Sequence, residues 1–460
     1  MFVNPQIFRE YDIRGIFNED LTSEIAKKIG LSAGTYFQQN RVKTVVVGHD
    51  NRLSWPDIFE PLVMGLQESG CRVIDLGYCL SPFVYFSWYD LDANASIMVT
   101  ASHNPAKFNG FKMSLNKTVI HGNETQKIKD IFLNDQYLNG KGERTKYDIF
   151  PHYLKKIKAD IHLDRPLKAV VDCGNGTAGM FAPKILKELG VEVIPIFCQS
   201  DGSFPHHDPY PQKKELYQKL SQDIVKNKAD IGLAYDGDGD RLGVYDEKGN
   251  FLENDRLAMV FAKEVLKANP GRKMVMNITT SLSVLEYIKS CGGEPMLWRT
   301  GFPNISEKMK ETDAILGGEI SGHFFFRDRY LGYDDAIYAS LRLLEIISKI
   351  KDHFSQMIAS LPRYFETREI RIEVPSTLDK FTIMKNIAGE LKKEFSPETI
   401  LDLDGVRFSF PEGWGLIRAS NTESVISVRA EAKNEKRLAE IKSIIEDKLR
   451  KNKLNIIWGD

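Results

Sequence analysis

The chain has 460 residues, of which 42% are hydrophobic and 27% are charged, and its formal net charge is −1 at pH 7. This length is too great for one hydrophobic core and predicts about three or four domains. Because the chain has almost no net charge, and no apolar stretch near the roughly 20 residues of a membrane-spanning helix, we expect neither nucleic acid nor a membrane as a partner.

The N-terminus and the cysteines favour a cytoplasmic protein. Residues 1–5 lack a basic segment followed by an apolar one, so we do not expect secretion. The cysteines are odd in number and lack the paired spacing of a metal site; they are Cys71, Cys79, Cys173, Cys198 and Cys291. This pattern favours reduced thiols over a disulfide framework or a zinc site.

The first predicted elements alternate between strands and helices, which is typical of parallel sheets covered by helices on both faces. A helix is expected at about 56–68, with Ser54 as its cap. Strands are expected at 42–48, 71–76 and 95–99, and the last leads into the segment Thr100-Ala101-Ser102-His103-Asn104-Pro105.

The alternation recurs twice before the pattern changes. Strand 231–235 runs into Asp236-Gly237-Asp238-Gly239-Asp240-Arg241, and strand 314–316 enters the glycine-rich segment 317–323. Parallel sheets bind ligands at these carboxyl ends of strands. After about residue 361, alternating segments and two helices predict a smaller α+β domain; the segments are 369–374 and 424–430, and the helices are 381–395 and 435–451.

Ser102 is a candidate nucleophile on a sharp loop. His103 carries protons near neutral pH, and Lys112, a short distance along the chain, can neutralise phosphate oxygens. A plain turn and a Ser-His-Asp hydrolase are the alternatives. The Gly-x-Ser-x-Gly motif of many hydrolases is absent around Ser102.

The acidic segment is a candidate metal site. Asp236, Asp238 and Asp240 place three carboxylates within five residues, which repel one another unless a cation lies among them. Such oxygen ligands suit Mg²⁺, and Arg241 adds positive charge for a transferring phosphoryl group. A surface turn and a calcium loop ending at Glu247 are the alternatives, although Arg241 stands where a calcium loop needs glycine.

Three further segments are weaker candidates. Glu319 and Ser321 lie among glycines and can bond sugar hydroxyls, although a structural turn has the same composition. Arg418 leads a polar segment between two predicted strands, which suits an anion pocket. The polar segment at 8–15 is not expected to form a core strand, and it can present Tyr11 and Arg14 to a ligand.

In chain order, these segments resemble the α-D-phosphohexomutase superfamily, and within it the bacterial phosphomannomutase/phosphoglucomutase branch. The resemblance covers nearly the whole chain, from Tyr11-Asp12-Ile13-Arg14-Gly15 to Arg418-Ala419-Ser420-Asn421-Thr422. It implies three related α/β domains with mixed sheets and a C-terminal α+β domain around a central cleft. We expect these domains at 1–147, 148–250, 251–361 and 362–460, each contributing one loop.

The resemblance implies a cytoplasmic Mg²⁺-dependent mutase that interconverts hexose 1-phosphates and 6-phosphates of mannose and/or glucose. Ser102 would carry the phosphoryl group, and a hexose 1,6-bisphosphate would be the intermediate and activator. The protein would be a monomer or a weak homo-oligomer whose partner is a phosphosugar. The implied catalytic residues are Ser102, His103, Lys112 and Arg241; the metal ligands are Ser102, Asp236, Asp238 and Asp240; the substrate-binding residues are Tyr11, Arg14, Glu319, Ser321, His323, Arg418, Ser420, Asn421 and Thr422.

The sequence also departs from the family pattern. Phe302 stands where a histidine is common, Thr279 replaces a usual lysine, and His49 replaces a usual arginine. The first two keep open a catalytically weakened sugar-phosphate-binding homologue, and a phosphoglucosamine mutase is the other alternative. Ile320 is a modest indication against the glucosamine branch, which tends to have glutamine there.

Overall fold

The structure is a computed structural model that describes residues 4–375, 377–420 and 424–458. The chain forms two compact units, one of Met1–Leu257 with Ser321–Ala359 and the other of Ala258–Ile320 with Ser360–Asp460. Within the described ranges, no helix combines the length and apolar character that crossing a bilayer requires.

The strands and helices are numbered here in chain order. The strands are β1 Ile13–Ile16, β2 Thr44–His49, β3 Arg72–Tyr78, β4 Ala95–Val99, β5 Phe108–Leu115, β6 Thr118–Val119, β7 Arg144–Lys146, β8 Leu167–Asp172, β9 Val191–Ile196, β10 Ile231–Tyr235, β11 Leu242–Tyr245, β12 Phe251–Leu252, β13 Lys273–Asn277, β14 Glu294–Trp298, β15 Leu316–Gly318, β16 Phe324–Phe326, β17 Phe365–Glu366, β18 Ile370–Glu373, β19 Ile400–Leu401, β20 Val406–Phe410, β21 Gly413–Ala419 and β22 Val425–Ala432. The α-helices are α1 Ser23–Gln39, α2 Trp55–Glu68, α3 Ser81–Asp90, α4 Asn123–Leu133, α5 Phe150–Asp160, α6 Ala178–Glu188, α7 Gln218–Asn227, α8 Asn254–Ala268, α9 Leu282–Ser290, α10 Phe302–Thr312, α11 Ala336–Lys349, α12 Phe354–Ala359, α13 Lys380–Glu394 and α14 Glu435–Lys451.

The first sheet of the larger unit is mixed. Its order is β1-β5-β4-β2-β3-β7, with β6 paired to β5. Strand β2 runs parallel to β3 and β4, whereas β5 is antiparallel to β4 and β1. Helices α1 and α2 pack so closely at Gly30 that a Cβ there would lie 2.2 Å from the Leu62 carbonyl oxygen. Glycine is therefore required where the two backbones meet.

Ser54 occupies the N-cap position of α2, as predicted, but makes no capping hydrogen bond; its Oγ accepts a hydrogen bond from Asn109 Nδ2 at 2.9 Å. The prediction that the polar segment at 8–15 forms no core strand is wrong. The polar segment at 8–15 contributes β1, whose Ile13 and Arg14 are buried. A strand forms there because the ladder to β5 pairs the backbone and Asp12 neutralises Arg14 at 2.6 Å.

The second sheet of the larger unit delivers the acidic segment. Its order is β12-β11-β10-β8-β9, with β8 parallel to β9 and β10 and with β10 antiparallel to β11. The short turn between β10 and β11 is the acidic segment itself. Its position follows from the hairpin, since Tyr235 pairs with Leu242 across the ladder.

In the smaller unit, β13 runs parallel to β14 and β15. The predicted strand at 314–316 lies further along the chain, as β15, because the ladder starts where Met274 pairs with Leu316. The remaining sheet is antiparallel, in the order β17-β22-β21-β20-β19 with β18 on β22, and α13 and α14 share its core. The predicted fold class, α/β domains with mixed sheets followed by an α+β domain, is confirmed.

Candidate active site

Ser102 lies on the loop that follows β4, and it is 2% exposed. Its φ of 51° lies in the left-handed region, which non-glycine residues adopt only where their surroundings hold them. The Ser102 N–H donates to Thr100 Oγ1 at 2.8 Å, which contributes to holding this conformation. The loop therefore presents one hydroxyl in a fixed direction.

The Ser102 hydroxyl lies between a carboxylate and an imidazole. Its Oγ donates to Asp236 Oδ2 at 2.9 Å and lies 3.2 Å from His103 Nδ1. Burial, together with the charges of Arg241 and Arg14, holds the pKa of His103 well below its ordinary value. This shift favours the uncharged imidazole of His103.

The carboxylates of Asp236, Asp238 and Asp240 converge. All three residues are fully buried, and one oxygen from each lies within 4.8 Å of the others. Gly237 permits a close approach, since a Cβ there would lie 2.6 Å from the Ser102 carbonyl oxygen. The hairpin thus brings three oxygen ligands beside the serine loop.

Lys112 reaches this cluster from β5. Its Nζ lies 2.6 Å from Asp238 Oδ2 and 2.5 Å from Asp240 Oδ2. Burial lowers the pKa of Lys112, but the two carboxylates outweigh burial and raise it well above its usual value. Burial raises the pKa of Asp240, but Lys112 and His323 outweigh it and hold that pKa well below the ordinary range.

The cluster meets the requirements of a hard divalent ion. Its ligands are all carboxylate oxygens, and Asp238 Oδ1 is buried without a hydrogen-bond partner among the described residues. The calcium-loop alternative loses its final ligand, because both Glu247 carboxylate oxygens bond Ser355 at the start of α12. The geometry therefore favours a small metal site made by the three aspartates.

Arg241 and His323 lie beside the aspartates. Arg241 Nε lies 3.3 Å from His323 Nε2, and Ser321 Oγ lies 3.0 Å from His323 Nδ1. Sequence reasoning missed Asp334, whose Oδ2 lies 3.8 Å from His323 Nε2. Burial and the nearby Asp240 raise the pKa of Asp334 to about 7. Asp240, His323 and Asp334 thus form a second buried group whose side-chain atoms lie within 4.8 Å of one another, with Arg241 beside it.

Arg14 binds the serine loop directly. From β1, its Nη1 donates to Asn104 Oδ1 at 2.5 Å and to the Ala101 carbonyl at 3.3 Å. Tyr11 lies two residues before this strand and is partly buried. Both residues therefore lie in the larger unit, in the same sheet domain as Ser102.

The smaller unit holds Glu319 and Arg418. Glu319 Oε1 accepts a hydrogen bond from Gly301 N at 2.6 Å. Sequence reasoning missed Asp404, which connects Thr300, the residue before Gly301, to Arg418. Its Oδ2 accepts hydrogen bonds from Thr300 N at 3.2 Å and from Arg418 Nε at 2.9 Å. No sequence pattern indicates that the Asp404 carboxylate links these two segments.

Ser420 directly follows β21, and its carbonyl accepts a hydrogen bond from Lys380 Nζ at 2.6 Å. Asn421 and Thr422 lie outside the described residues. Two of the three departures from the family pattern are buried in this unit: Phe302 begins α10, and Thr279 Oγ1 accepts from Asn277 Nδ2 at 2.7 Å. Both lie in the smaller unit, in the same sheet domain as Glu319.

Four family models match the chain in order. They describe phosphoglucomutase/phosphomannomutase α/β/α domain I at 5–139, domain II at 151–249, domain III at 253–365 and the C-terminal domain at 369–448. Together they match most of the chain.

Similar proteins and structures agree with these matches. The chain is 40% identical to a phosphomannomutase/phosphoglucomutase of Pseudomonas aeruginosa over 96% of this chain and 95% of that protein. It is 37% identical to a phosphoglucomutase of Neisseria gonorrhoeae over 99% of both. A solved phosphoglucomutase/phosphomannomutase family protein from Burkholderia thailandensis superposes with a TM-score of 0.93 at 36% identity, over 99% of this chain and 100% of that one. The chain therefore belongs to the phosphoglucomutase/phosphomannomutase family, a family of intramolecular phosphotransferases.

Proposed function

We propose that this chain interconverts hexose 1-phosphates and hexose 6-phosphates of mannose and/or glucose, with phosphorylated Ser102 as the phosphoryl carrier. The observation that carries the proposal is the contact between Ser102 Oγ and Asp236 Oδ2, which joins a nucleophile to a cluster of metal-type ligands. The names of the similar bacterial enzymes support the choice of sugars.

Asp236, Asp238 and Asp240 would hold Mg²⁺ together with an oxygen of phosphorylated Ser102. When bound, the ion supplies positive charge against the charge that develops on the transferring phosphoryl group. Arg241 adds a fixed positive group beside the same carboxylates, at 3.9 Å from Asp236 Oδ2. Lys112 balances the buried negative charge of the other two aspartates.

The reaction would run in two balanced halves through a hexose 1,6-bisphosphate. In the first, a sugar hydroxyl oxygen bonds to phosphorus, the bond between Ser102 Oγ and phosphorus breaks, and the proton of the sugar hydroxyl passes to Ser102 Oγ. In the second, Ser102 Oγ bonds to the other phosphorus of the bisphosphate, the bond between that phosphorus and its sugar oxygen breaks, and the serine proton passes to the sugar oxygen. Neutral His103, at 3.2 Å, can pass the proton at Ser102 in both directions.

The remaining family-matched residues would bind the substrate. Glu319 and Ser321 would hold sugar hydroxyls, and Arg418 with the 420–422 segment would hold the phosphate that is not reacting. Tyr11, Arg14 and His323 would complete the site. Water must be excluded during transfer, since phosphoserine would otherwise hydrolyse.

Cellular setting and assembly complete the proposal. All five cysteines are free thiols in the structure, which suits the reducing cytoplasm. We expect the protein to act as a monomer or a weak homo-oligomer, with a phosphosugar as its partner.

A turnover assay tests the proposal. Purified protein with Mg²⁺ and a trace of glucose 1,6-bisphosphate should convert glucose 1-phosphate and mannose 1-phosphate to their 6-phosphates. Conversion of glucosamine 1-phosphate alone would favour the glucosamine alternative. Phosphosugar binding without turnover would favour the weakened homologue. That alternative rests on Phe302 and Thr279, which replace a common histidine and a usual lysine of the family pattern.

A further inference from the structure

The buried side chain of Arg52 contacts the backbone of the loop that carries Ser102. Arg52 follows β2 and is completely buried. Its guanidinium donates to four backbone carbonyls: Ser102 at 2.9 Å, Asn104 at 2.6 Å, Pro105 at 2.7 Å and Phe108 at 2.9 Å. One side chain therefore fixes both ends of the turn that carries the candidate nucleophile.

Asp50 connects this guanidinium to the other side of Ser102. Its Oδ2 accepts from Arg52 Nε at 3.1 Å and from Thr100 Oγ1 at 2.7 Å. Thr100 Oγ1 in turn accepts from the Ser102 N–H at 2.8 Å. The Ser102 carbonyl and amide are thus both held by one buried network.

This arrangement exceeds what an ordinary buried ion pair needs. A buried guanidinium requires a carboxylate partner, which Asp50 supplies, but four carbonyls of one loop need not also face it. Arginine offers five donors in a planar fork, whereas lysine offers three from a single point. The network therefore depends on arginine for its geometry as well as its charge.

We propose that Arg52 is a positioning residue that, through Asp50 and Thr100, holds Ser102 in its left-handed conformation with Oγ aimed at the acidic cluster. The inference rests on the proposed role of Ser102 as phosphoryl carrier. Arg52 itself touches no reacting atom. Its effect is on the alignment of Oγ, and a misplacement of about 1 Å can lower a rate about 100-fold.

The test uses Arg52→Lys, with Arg144→Lys as the matched control. Arg144 also belongs to the first sheet domain and pairs with Glu60 and Asp75, away from the serine loop. With glucose 1,6-bisphosphate and Mg²⁺, the rate constant of Ser102 phosphorylation should fall about 30- to 100-fold in Arg52→Lys and stay within about twofold in the control. The KM for hexose 1-phosphate should change by less than about threefold in both.

A second pair of variants tests the same network if Arg52→Lys fails to fold. Thr100→Val removes the hydroxyl from the network and should slow phosphorylation about tenfold, while Thr100→Ser keeps the hydroxyl and should restore it. Wild-type rates in a folded Arg52→Lys protein, or equal losses in both Thr100 variants, would overturn the proposal.

Hydrogen exchange separates this inference from the proposed function. Amide exchange of peptide 100–106, measured without any sugar, should speed up at least about tenfold in Arg52→Lys and stay unchanged in Arg144→Lys. Unchanged exchange in Arg52→Lys would overturn the positioning role even if the wild type is an active mutase. Faster exchange with no phosphate on wild-type Ser102 would support the loop anchor and reject the proposed chemistry.

Discussion

Ser102 Oγ donates a hydrogen bond to Asp236 Oδ2 at 2.9 Å, although 134 residues separate them in the chain. Ser102 follows β4 of the first sheet and Asp236 follows β10 of the second. Two strand ends from different sheets therefore meet at one hydroxyl. This contact links the proposed nucleophile to the proposed metal ligands.

Asp238→Asn should weaken Mg²⁺ binding and lower kcat at least about 100-fold, because one of three negative ligands becomes neutral. Calorimetric titration with Mg²⁺ and a turnover series over Mg²⁺ concentration measure the two effects. Asp223→Asn, on an exposed ion pair of α7, is the control and should be unchanged. An unaltered Mg²⁺ dependence in Asp238→Asn would remove the acidic segment as the metal site.

Lys112→Met should change metal binding and turnover in opposite directions. The ammonium contacts Asp238 and Asp240, so its removal frees both carboxylates and should tighten Mg²⁺ binding about threefold or more. The same change removes a buried positive group, and kcat should fall about 100-fold. Weaker Mg²⁺ binding in this variant would contradict the account of Lys112 as a counter-charge.

Asp404→Asn should raise the KM for hexose 1-phosphate about three- to tenfold with a smaller effect on kcat. The carboxylate holds Arg418 at 2.9 Å and the Thr300 N–H at 3.2 Å, so its loss leaves the phosphate-pocket arginine poorly oriented. Steady-state kinetics measure the change. Asp402→Asn breaks only the half-exposed pair with Lys392 and serves as control; equal effects in both variants would argue against a specific role.

His207 should make stability depend on pH. Burial lowers its pKa, but Asp172 outweighs burial and raises it above the ordinary value of 6.5. The charged pair therefore stabilises the fold fully below about pH 6.5, and this contribution is lost as the pH rises through the folded-state pKa. His207→Gln should be less stable than wild type at pH 6, and the difference should shrink by pH 9.

Urea denaturation of wild type and His207→Gln across this range measures the effect. His152→Gln, which replaces a histidine whose side chain is 51% exposed, provides the control. A His207→Gln difference that grows with pH would mean that the histidine is neutral in the folded protein.

The loops at strand ends could be predicted from the sequence, because their composition differs from that of the buried strands before them. Asp236, Asp238 and Asp240 are conspicuous as three carboxylates in five residues, and Ser102 follows an apolar strand. The strand–helix alternation also indicates where parallel strands deliver them.

The supporting residues could not be predicted, because their roles arise from contacts that tertiary structure creates. Arg52 looks like an ordinary loop arginine until the fold buries it beneath the serine loop. Lys112 was predicted to lie near the serine loop, but its position on β5, opposite Met98 of β4, follows only from the sheet pairing. Asp334 stands next to Asp335, and Asp404 stands two residues after Asp402, but nothing in either short segment indicates which carboxylate contacts the site.

The most direct test of the central claim is the intact mass of the protein after incubation with glucose 1,6-bisphosphate and Mg²⁺, followed by peptide mapping. The account predicts one added phosphate, located on Ser102, and none on a folded Ser102→Ala variant. A well-folded wild-type protein without phosphate on Ser102, or an equal phosphate load on Ser102→Ala, would contradict the phosphoserine mechanism.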